Sequence, residues 1–316
     1  MASIQVLPAG QGAVLRKTAP LDQFLAGQLS ERTRRAYLTD LRDFFGTEKV
    51  TLDMVQSVTF QEIIAYRNIL ADNQYKRTTI NRKLSSLKSF FKVMVAAGVV
   101  VQNPADSSLV RGYRVDGTML GKAIPNDAME RILQAIAAEG DALRRARDTA
   151  LFYVLMYGGL RRSEAARMDW GHIHQQDQFH VLELPETKSG VTQDVKLQPE
   201  VVHFLQEYAL QLRRCGYEHN TGPVFISLSR NSSHGKRLTD QSINLIVKRY
   251  ARLAGVPRNV TAHMFRHTCC TLAIEGGARP AQVQAHLRHK DLKTTMRYYE
   301  NRDRLRDNAS DYIQLG

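Results

Sequence analysis

Hydrophobic residues in the first third of the chain recur at the spacing of amphipathic helices. Tyr37, Leu41, Phe44 and Phe45 follow one another at i, i+4, i+7 and i+8, after Ser30, a residue type that is common at helix N-caps. This pattern predicts a helix that begins just after Ser30 and buries one face.

A longer stripe of apolar residues runs through residues 78–95. Its members alternate spacings of four and three along one helical face: Ile80, Leu84, Leu87, Phe91 and Met94. Between Asn73 and Ala105 the chain has six basic residues and no acidic one: Lys76, Arg77, Arg82, Lys83, Lys88 and Lys92. A solvated helix face would normally mix both signs of charge, so we favour contact of these residues with phosphate.

The periodicity breaks between residues 106 and 122, where glycines accumulate, and this composition predicts an interdomain linker. Residues 21–105 are predicted to form a helical domain, preceded by a loose leader at 1–20. Residues 123–316 are predicted to form a second domain, with a short amphipathic tail helix from about residue 302.

Within the second domain the pattern changes from helical to extended and back. The nearly all-apolar segment 149–160 predicts a buried core helix that stops at Gly158 and Gly159. Alternation over residues 179–183, a turn, and an extended segment at 191–197 predict a β-hairpin. The predicted fold class is therefore mainly α with a small antiparallel β-sheet (α+β).

The net charge of the chain indicates what kind of partner it binds. Lys and Arg total 44 against 31 Asp and Glu, a net charge of +13. The excess is spread over the chain, with 14 basic and 9 acidic residues up to Val110 and 30 and 22 after it. A surplus of this size predicts a polyanionic partner that both domains touch.

Composition also narrows the class of protein. Hydrophobic residues make up 43% and charged residues 24% of the chain, which are ordinary values for a globular protein. No apolar run approaches the roughly 20 residues of a bilayer span, and we expect neither a membrane segment nor a signal peptide. Three cysteines, two of them adjacent, favour a reducing cytoplasm over a disulfide framework: Cys215, Cys269 and Cys270. The phosphate-binding loops of nucleotide-dependent enzymes are missing, so we expect no nucleotide cofactor.

Two pairs of histidines have the spacing of metal ligands on helices. His263 and His267 are at i, i+4, and His286 and His289 are at i, i+3. A zinc-protease helix needs Glu after its first His, where this chain has Met264. The flanking residues are cations that would suit an anion better than a metal ion: Arg266, Arg288 and Lys290.

Arg161 directly follows the apolar helix and its two glycines, with Glu164 three residues later. An arginine in such a context is expected to be buried and paired. It could be an ordinary interior ion pair, or an arginine that Glu164 holds rigidly so that it can grip a phosphate or carboxylate.

Four segments carry the candidate residues in one order along the chain. They read GGLRRSE at 158–164, TKSG at 187–190, TAHMFRHTCCTLAIEGGA at 261–278 and LRHKDLKTTMRYY at 287–299. Upstream, SERTRRAYLTDLRDFF at 30–45 and TTINRKLSSLKSFF at 78–91 precede Asn103-Pro104. Over residues 21–316 the chain resembles the tyrosine recombinases, the phage-integrase and Xer-type family, with a helical core-binding domain followed by the catalytic domain.

The resemblance implies a set of catalytic residues. The family pattern is Arg with Glu three residues on, a hairpin Lys, His-x-x-Arg, a second His, and Tyr about nine residues later. The matching residues are Arg161 with supporting Glu164, Lys188, His263, Arg266, His289 and Tyr298. The implied reaction is site-specific cutting and rejoining of duplex DNA through a 3′-phosphotyrosyl intermediate.

These residue types suit phosphodiester exchange. Tyr298 would be the nucleophile, and Arg161 and Arg266 would clamp the non-bridging oxygens. His263 would accept or donate a proton, and His289 would donate a hydrogen bond to the phosphate. Because one phosphodiester is exchanged for a phosphotyrosyl ester, bond energy is conserved, and we expect neither a cofactor nor a metal.

Two positions depart from the family or leave a choice. The family commonly has Gly where Arg288 stands, and an arginine there could contact phosphate or point outward. Tyr298 and Tyr299 are adjacent, so Tyr299 is the alternative nucleophile. Lys188 is assigned by the resemblance alone, as the residue that protonates the leaving 5′ oxygen.

The resemblance further implies a three-stranded sheet in the catalytic domain and two domains that close around DNA like a C. The expected partners are double-stranded DNA with inverted-repeat-like sites, a second copy as a dimer on one site, a tetramer joined through the tail, and an accessory DNA-bending protein. The expected location is the bacterial cytoplasm, at the nucleoid.

Three other functions are compatible with parts of this pattern. A non-catalytic DNA-binding protein on the same fold would have no use for a tyrosine beside two arginines and a histidine. A type IB topoisomerase shares the chemistry, but the Xer-like first domain disfavours it. A zinc hydrolase would need the histidines to bind metal.

Overall fold

The computed structural model describes residues 19–115, 123–185, 192–217, 221–230, 232–256 and 259–306, and side chains as far as Tyr299. The chain divides into two compact units, with the boundary between Asp116 and Gly117. Each unit has its own hydrophobic core.

The first unit is helical throughout its described part. Its helices are α1 (Pro20–Ala26), α2 (Glu31–Phe45), α3 (Leu52–Ser57), α4 (Phe60–Asp72) and α5 (Arg77–Ala96). The predicted stripe of α5 is buried along its whole length, and Phe90 joins it at the centre. Phe24 of α1 packs edge-on against Phe90, with 5.5 Å between ring centroids. The amphipathic pattern therefore predicted both the helix and the face that it buries.

The segment after α5 belongs to this unit for longer than the composition predicted. Val110 is buried in the helical core. The Asn81 side chain accepts a hydrogen bond from the Tyr113 backbone N–H and donates one to the Tyr113 carbonyl, both at 2.8 Å. Residues 106–113 therefore belong to the first unit and are not part of a linker, because Asn81 supplies hydrogen-bond partners to a segment that is neither helix nor strand.

The second unit is mainly helical with a small sheet. In chain order it contains α6 (Asn126–Ala137), α7 (Ala142–Tyr157), α8 (Arg162–Ala166), a 3₁₀ turn (Trp170–His172), β1 (Ile173–Gln176), β2 (Phe179–Leu184), β3 (Gln193–Leu197), α9 (Pro199–Arg214), α10 (Asp240–Leu253), α11 (Ala262–Glu275), α12 (Pro280–Leu287) and α13 (Leu292–Arg306).

Helix α7 forms the centre of this unit. It packs against α6, α9 and α11, and Phe152 lies edge-on to Phe265 of α11 with 5.0 Å between ring centroids. The helix begins at Ala142, earlier than its apolar run suggested, because the Asp141 side chain caps it by accepting from the Arg144 backbone N–H at 3.0 Å. It ends at Tyr157, as the two glycines predicted.

The sheet confirms the predicted hairpin and its third strand. All neighbours are antiparallel in the order β1-β2-β3, and Val181 of β2 lies opposite His174 of β1 and Lys196 of β3. Leu182 and Val195 are buried on one face. The predicted turn, including Lys188, lies outside the described residues.

A smaller cluster joins α11, α12 and α13. Its buried members are Cys269, Cys270, Ile274, Val283, Leu287 and Tyr298. Helix α13 runs without a break from Leu292 to Arg306, so the helix predicted to begin near residue 302 is the end of the one that carries Tyr298. The rest of the predicted tail lies outside the described residues. None of the helices in the described part of the chain has the length and apolarity that a bilayer crossing requires.

Candidate active site

The turn between α7 and α8 brings three helices together. Gly159 has a φ of +54°, and a Cβ added there would lie 2.5 Å from Cδ2 of Leu287. Glycine is required because the backbone is left-handed and because α12 approaches so closely. The turn places the Gly159 carbonyl and Arg161 beside α11 and α12.

Glu164 fixes Arg161 through two hydrogen bonds. Its Oε2 accepts from the Arg161 backbone N–H at 2.8 Å, and its Oε1 accepts from Arg161 Nη1 at 2.5 Å. Glu164 is 5% exposed, whereas the Arg161 side chain is 44% exposed. The expectation of a buried arginine was therefore wrong: the carboxylate is buried, and it presents a fixed guanidinium at the surface.

Arg266 of α11 is the buried arginine of the site. Its Nη1 donates to the Gly159 carbonyl at 2.6 Å, and its Nη2 donates to the carbonyl of Leu287. Burial, together with the charges of Arg161 and Arg288, lowers the pKa of Arg266 to about 10. A cation packed among like charges favours the approach of an anion.

Arg288 is also buried, so it does not point outward. Its side chain is 3% exposed and its Nη2 donates to Glu164 Oε2 at 2.9 Å. Its backbone is left-handed, with a φ of +54° at the end of α12. Burial raises the pKa of Glu164, but the charge of Arg288 and the hydrogen bonds from Arg161 outweigh it and hold the pKa below its ordinary value.

Two histidines of α11, His263 and His267, lie close to Tyr298. The rings of His263 and His267 meet edge-on with 4.6 Å between their centroids, and His267 Nδ1 shares a hydrogen bond with the Tyr298 hydroxyl. His267 is not among the site residues that the sequence predicts. Its signal in the sequence is the i, i+4 spacing from His263, which indicates only a candidate metal pair.

The adjacent tyrosines have separate environments. Tyr298 is 8% exposed within the small cluster, and burial raises the pKa of its hydroxyl. The Tyr299 hydroxyl donates to the carbonyl of Ala278. The Tyr298 hydroxyl thus bonds to a histidine of α11, whereas the Tyr299 hydroxyl bonds to a backbone carbonyl.

Burial and the positive charges of the site together lower the pKa of His289. Burial lowers the pKa of its imidazole to about 4, and the charges of neighbouring cations act in the same direction. Those cations are Arg266, Arg161, Arg288 and His263. The Nδ1 of His289 shares a hydrogen bond with Thr295 Oγ1 at 2.8 Å, so a neutral ring is held beside the arginines.

The hydrogen bonds of the histidines do not favour a metal site. His286 Nε2 bonds to the Tyr157 carbonyl at 2.8 Å, and His267 Nδ1 is bonded to Tyr298. Among the described residues no group of three His, Cys, Asp or Glu side chains is arranged to hold a metal ion.

The basic residues of the first unit separate into two groups. Lys76, Arg77 and Lys92 are exposed, and Lys88 is partly exposed with its Nζ on Ser107. Lys83 is only 7% exposed, and its Nζ contacts Asp43 at 2.7 Å. The prediction that Lys83 contacts phosphate is therefore wrong: acidic partners on α2 bind it in the interior.

Arg82 stands between the two groups. Its side chain is 52% exposed, and it forms an ion pair with the buried carboxylate of Asp40. One of its faces is thus occupied by an acidic partner while the rest is open to solvent.

Each of the two units matches the model of a known protein family. Residues 122–304 match the model of the phage integrase family, and residues 21–98 match the phage integrase N-terminal SAM-like domain. A tyrosine recombinase of Synechococcus elongatus is 28% identical over 305 residues, which cover 93% of this chain and 92% of that protein. The tyrosine recombinase XerC of Leptospira interrogans is 29% identical, over 85% of this chain and 83% of that one.

Solved structures share the fold. A lambda integrase dimer bound to a COC′ core site has a TM-score of 0.68 at 17% identity, covering 94% of this chain and 98% of that one. The XerH recombinase in a post-cleavage complex with a palindromic difH substrate has a TM-score of 0.65 at 18% identity, covering 89% and 80%. With family models matched over both units, the chain belongs to the phage integrase family, the tyrosine recombinases.

Proposed function

We propose that this chain is a site-specific recombinase that cuts and rejoins duplex DNA through a 3′-phosphotyrosyl intermediate at Tyr298. One observation carries the proposal. Arg161 and Arg266 direct N–H groups at the backbone carbonyls of Arg288 and Leu287, next to His289. A histidine of the same helix as Arg266 shares a hydrogen bond with the hydroxyl of Tyr298. Guanidinium groups match the geometry and charge of a phosphodiester, and a tyrosine hydroxyl is the nucleophile that such a site needs.

In the proposed first step, the Tyr298 oxygen attacks phosphorus and the bond from phosphorus to the 5′ oxygen breaks. The hydroxyl proton leaves to His263 or to its neighbour His267, and Lys188 gives a proton to the 5′ oxygen. The exposed guanidinium of Arg161 donates to the non-bridging oxygens. Rejoining is the reverse, with a 5′ hydroxyl of the partner strand as the attacking group.

Arg161 and Arg266 differ in exposure, and they therefore contribute differently to this step. Arg161 is 44% exposed and free to donate along a phosphate edge. Arg266 is buried, with two of its N–H groups on backbone carbonyls, so it contributes chiefly a fixed positive charge and its remaining N–H groups. Charges fixed before the reaction stabilise the developing charge without a cost of reorganisation.

We further propose how the protein binds and assembles. The exposed basic residues of α5 and the catalytic unit both contact duplex DNA, on sites that are inverted repeats read by two copies. Four copies form the synapse, with the possible addition of a DNA-bending protein, in the bacterial cytoplasm at the nucleoid. These elements come from the family resemblance and from the positive charge of both units.

For the tetramer we propose that residues 303–316 of one copy dock on the next. An apolar groove among α7, α11 and α12 supports this, because it lies beside the helix that carries the nucleophile; its lining includes Met156, Leu272, Ala273, Ala278 and Val283. A contact of this kind closes into a ring. Deleting residues 303–316 should leave a DNA-binding protein that forms no tetramer with paired sites in analytical ultracentrifugation; a normal tetramer would refute it.

The reaction itself is tested by covalent capture. The recombination site is found by sequencing the covalent complexes that form on DNA flanking the encoding gene, and it is then built as a nicked suicide substrate. The wild-type protein and Tyr299→Phe should form an adduct, and Tyr298→Phe should bind the DNA without forming one. If adducts persist in Tyr298→Phe and are lost in Tyr299→Phe, Tyr299 is the nucleophile.

The same preparation separates two other functions. Relaxation of any supercoiled plasmid without paired sites would identify a type IB topoisomerase, and binding without an adduct from the wild-type protein would identify a non-catalytic DNA-binding protein. Recombination that requires two sites supports the proposal.

A further inference from the structure

Arg288 occupies a position that is unfavourable for its type in two ways. Its φ of +54° lies in the left-handed region, which favours glycine at the end of a helix. Its guanidinium is buried, with the side chain 3% exposed, and a buried charge needs partners. A residue that combines both features is held there by specific contacts.

Those contacts lead to Glu164 and to Arg161. Arg288 Nη2 donates to Glu164 Oε2 at 2.9 Å, the same oxygen that accepts from the Arg161 backbone N–H at 2.8 Å. The Arg288 carbonyl lies 3.5 Å from Arg161 Nη2. Residue 288 thus reaches Arg161 from two sides, through the shared carboxylate and through its own backbone.

Among the described residues, the other two side-chain nitrogens of Arg288 do not both have hydrogen-bond partners. Arg288 Nη1 donates to the His286 carbonyl at 2.8 Å, and the buried Nε has no hydrogen-bond partner in the described part of the chain. An Arg288 that served only to fill the interior would leave this cost uncompensated, since an aliphatic side chain would avoid it. The charge of Arg288 instead acts on the site, where it lowers the pKa values of both Arg266 and His289.

We propose that Arg288 is a positioning residue for DNA cleavage: it anchors Glu164, and through Glu164 it holds the Arg161 guanidinium in place for the scissile phosphate. Its charge also adds to the positive field in which that phosphate sits. This inference rests on the proposed function, and it assigns to Arg288 a role other than direct phosphate contact.

The role predicts a specific energetic coupling. Glu164 transmits most of the effect of Arg288, so removing the Arg288 side chain should slow cleavage most while Glu164 is a carboxylate. Arg288→Lys keeps the charge but cannot reproduce both Nη contacts of the guanidinium. Arg288→Gly removes the side chain and at the same time relieves the left-handed backbone.

The test is the single-turnover cleavage rate on the nicked suicide substrate with protein in excess. Arg288→Met should cleave about 10 to 100 times more slowly than wild type, which corresponds to losing one hydrogen bond to a charged group. Arg288→Lys should be intermediate, and Arg288→Gly should also be slow, at temperatures where circular dichroism shows it folded. Arg279→Met, on an exposed arginine before α12, is the matched control and should cleave normally.

A double-mutant cycle then separates positioning from a general structural effect. In a Glu164→Gln background, Arg288→Met should slow cleavage much less than in the wild type, because the group through which it acts has been neutralised. Wild-type rates in folded Arg288→Met or Arg288→Gly, or effects of Arg288 and Glu164 that simply multiply, would overturn the proposal. Absence of any adduct from the wild-type protein would instead overturn the proposed function.

Discussion

The Nδ1 of His267 and the hydroxyl of Tyr298 share a hydrogen bond across the packed faces of α11 and α13. The proposed nucleophile is therefore held at its reactive atom in the DNA-free protein, next to an imidazole nitrogen. His267 in turn touches His263, the histidine that the sequence pattern implies for proton transfer.

We expect His267→Phe to keep DNA affinity and to slow covalent adduct formation on the order of a hundredfold or more, in the range for loss of a proton-transfer partner. His267→Gln retains a hydrogen-bonding side chain and should lose less. Single-turnover cleavage on the suicide substrate provides the measurement. Equal rates for wild type and His267→Phe would show that His263 alone serves Tyr298.

The two arginines of the site should not tolerate lysine. Arg161→Lys or Arg266→Lys should lower the cleavage rate on the order of a hundredfold, because an ammonium group cannot reproduce the guanidinium contacts and one transition-state donor is lost. Arg167→Lys, on an exposed arginine directly after the end of α8, is the control at saturating protein. Near-normal cleavage in both site variants would contradict the role of these arginines.

The pKa of His289 offers a test of the electrostatics of the site. With the folded pKa at about 4 against the ordinary histidine value of 6.5, the unfolded chain binds more protons between these pH values. His289 should therefore contribute a loss of stability as the pH falls from about 6.5 to 4. NMR titration of ¹³C-labelled histidines, assigned with His289→Asn, should show the low value directly.

The same titration should respond to the arginines and to DNA. Arg288→Met should raise the pKa of His289, since one repelling charge is removed, and bound duplex should raise it further by bringing phosphate to the site. A pKa of His289 near 6.5 in the free protein, or one that is insensitive to both changes, would contradict the convergence of charges described above.

Of the lysines of α5, we expect Lys88 and Lys92 to contribute to DNA binding and Lys83 to contribute to stability. Neutralising Lys88 and Lys92 together should flatten the dependence of log K on log salt by about one to two units, at about 0.9 per contact, with little change in stability. Lys83→Met should leave the slope unchanged and lower the free energy of unfolding by about 1–3 kcal/mol, because Asp43 loses its buried partner. A salt slope that changes with Lys83 and not with the other two would reverse the assignment.

The sequence predicted the elements whose information is local. The stripe of α5, the core helix α7 and the hairpin of β2 and β3 follow from periodicity and from glycines at helix ends, and each is present in the structure. Of the residues that the motifs predict, Arg161 and Arg266 meet beside His289 in the structure, and Lys188 lies outside the described residues.

What sequence reasoning missed depends on partners that are distant along the chain. Lys83 lies in an acid-free run, but its partner Asp43 is 40 residues away on α2. Arg288 binds Glu164 at a separation of 124 residues, and its positive φ gives the physical reason why the family commonly has Gly there. A charge run or a single departure from a motif contains no information about either contact.

The small cluster that joins α11, α12 and α13 has a consequence for how the nucleophile is delivered. Tyr298 is anchored by a handful of apolar side chains, whereas α7 lies in a core that extends through most of the catalytic unit. Elements with few buried contacts open at a lower free energy than the global unfolding. The amide protons of α13 should therefore exchange with deuterium well before those of α7, so that the helix carrying Tyr298 can detach and rebind while the arginine framework stays folded.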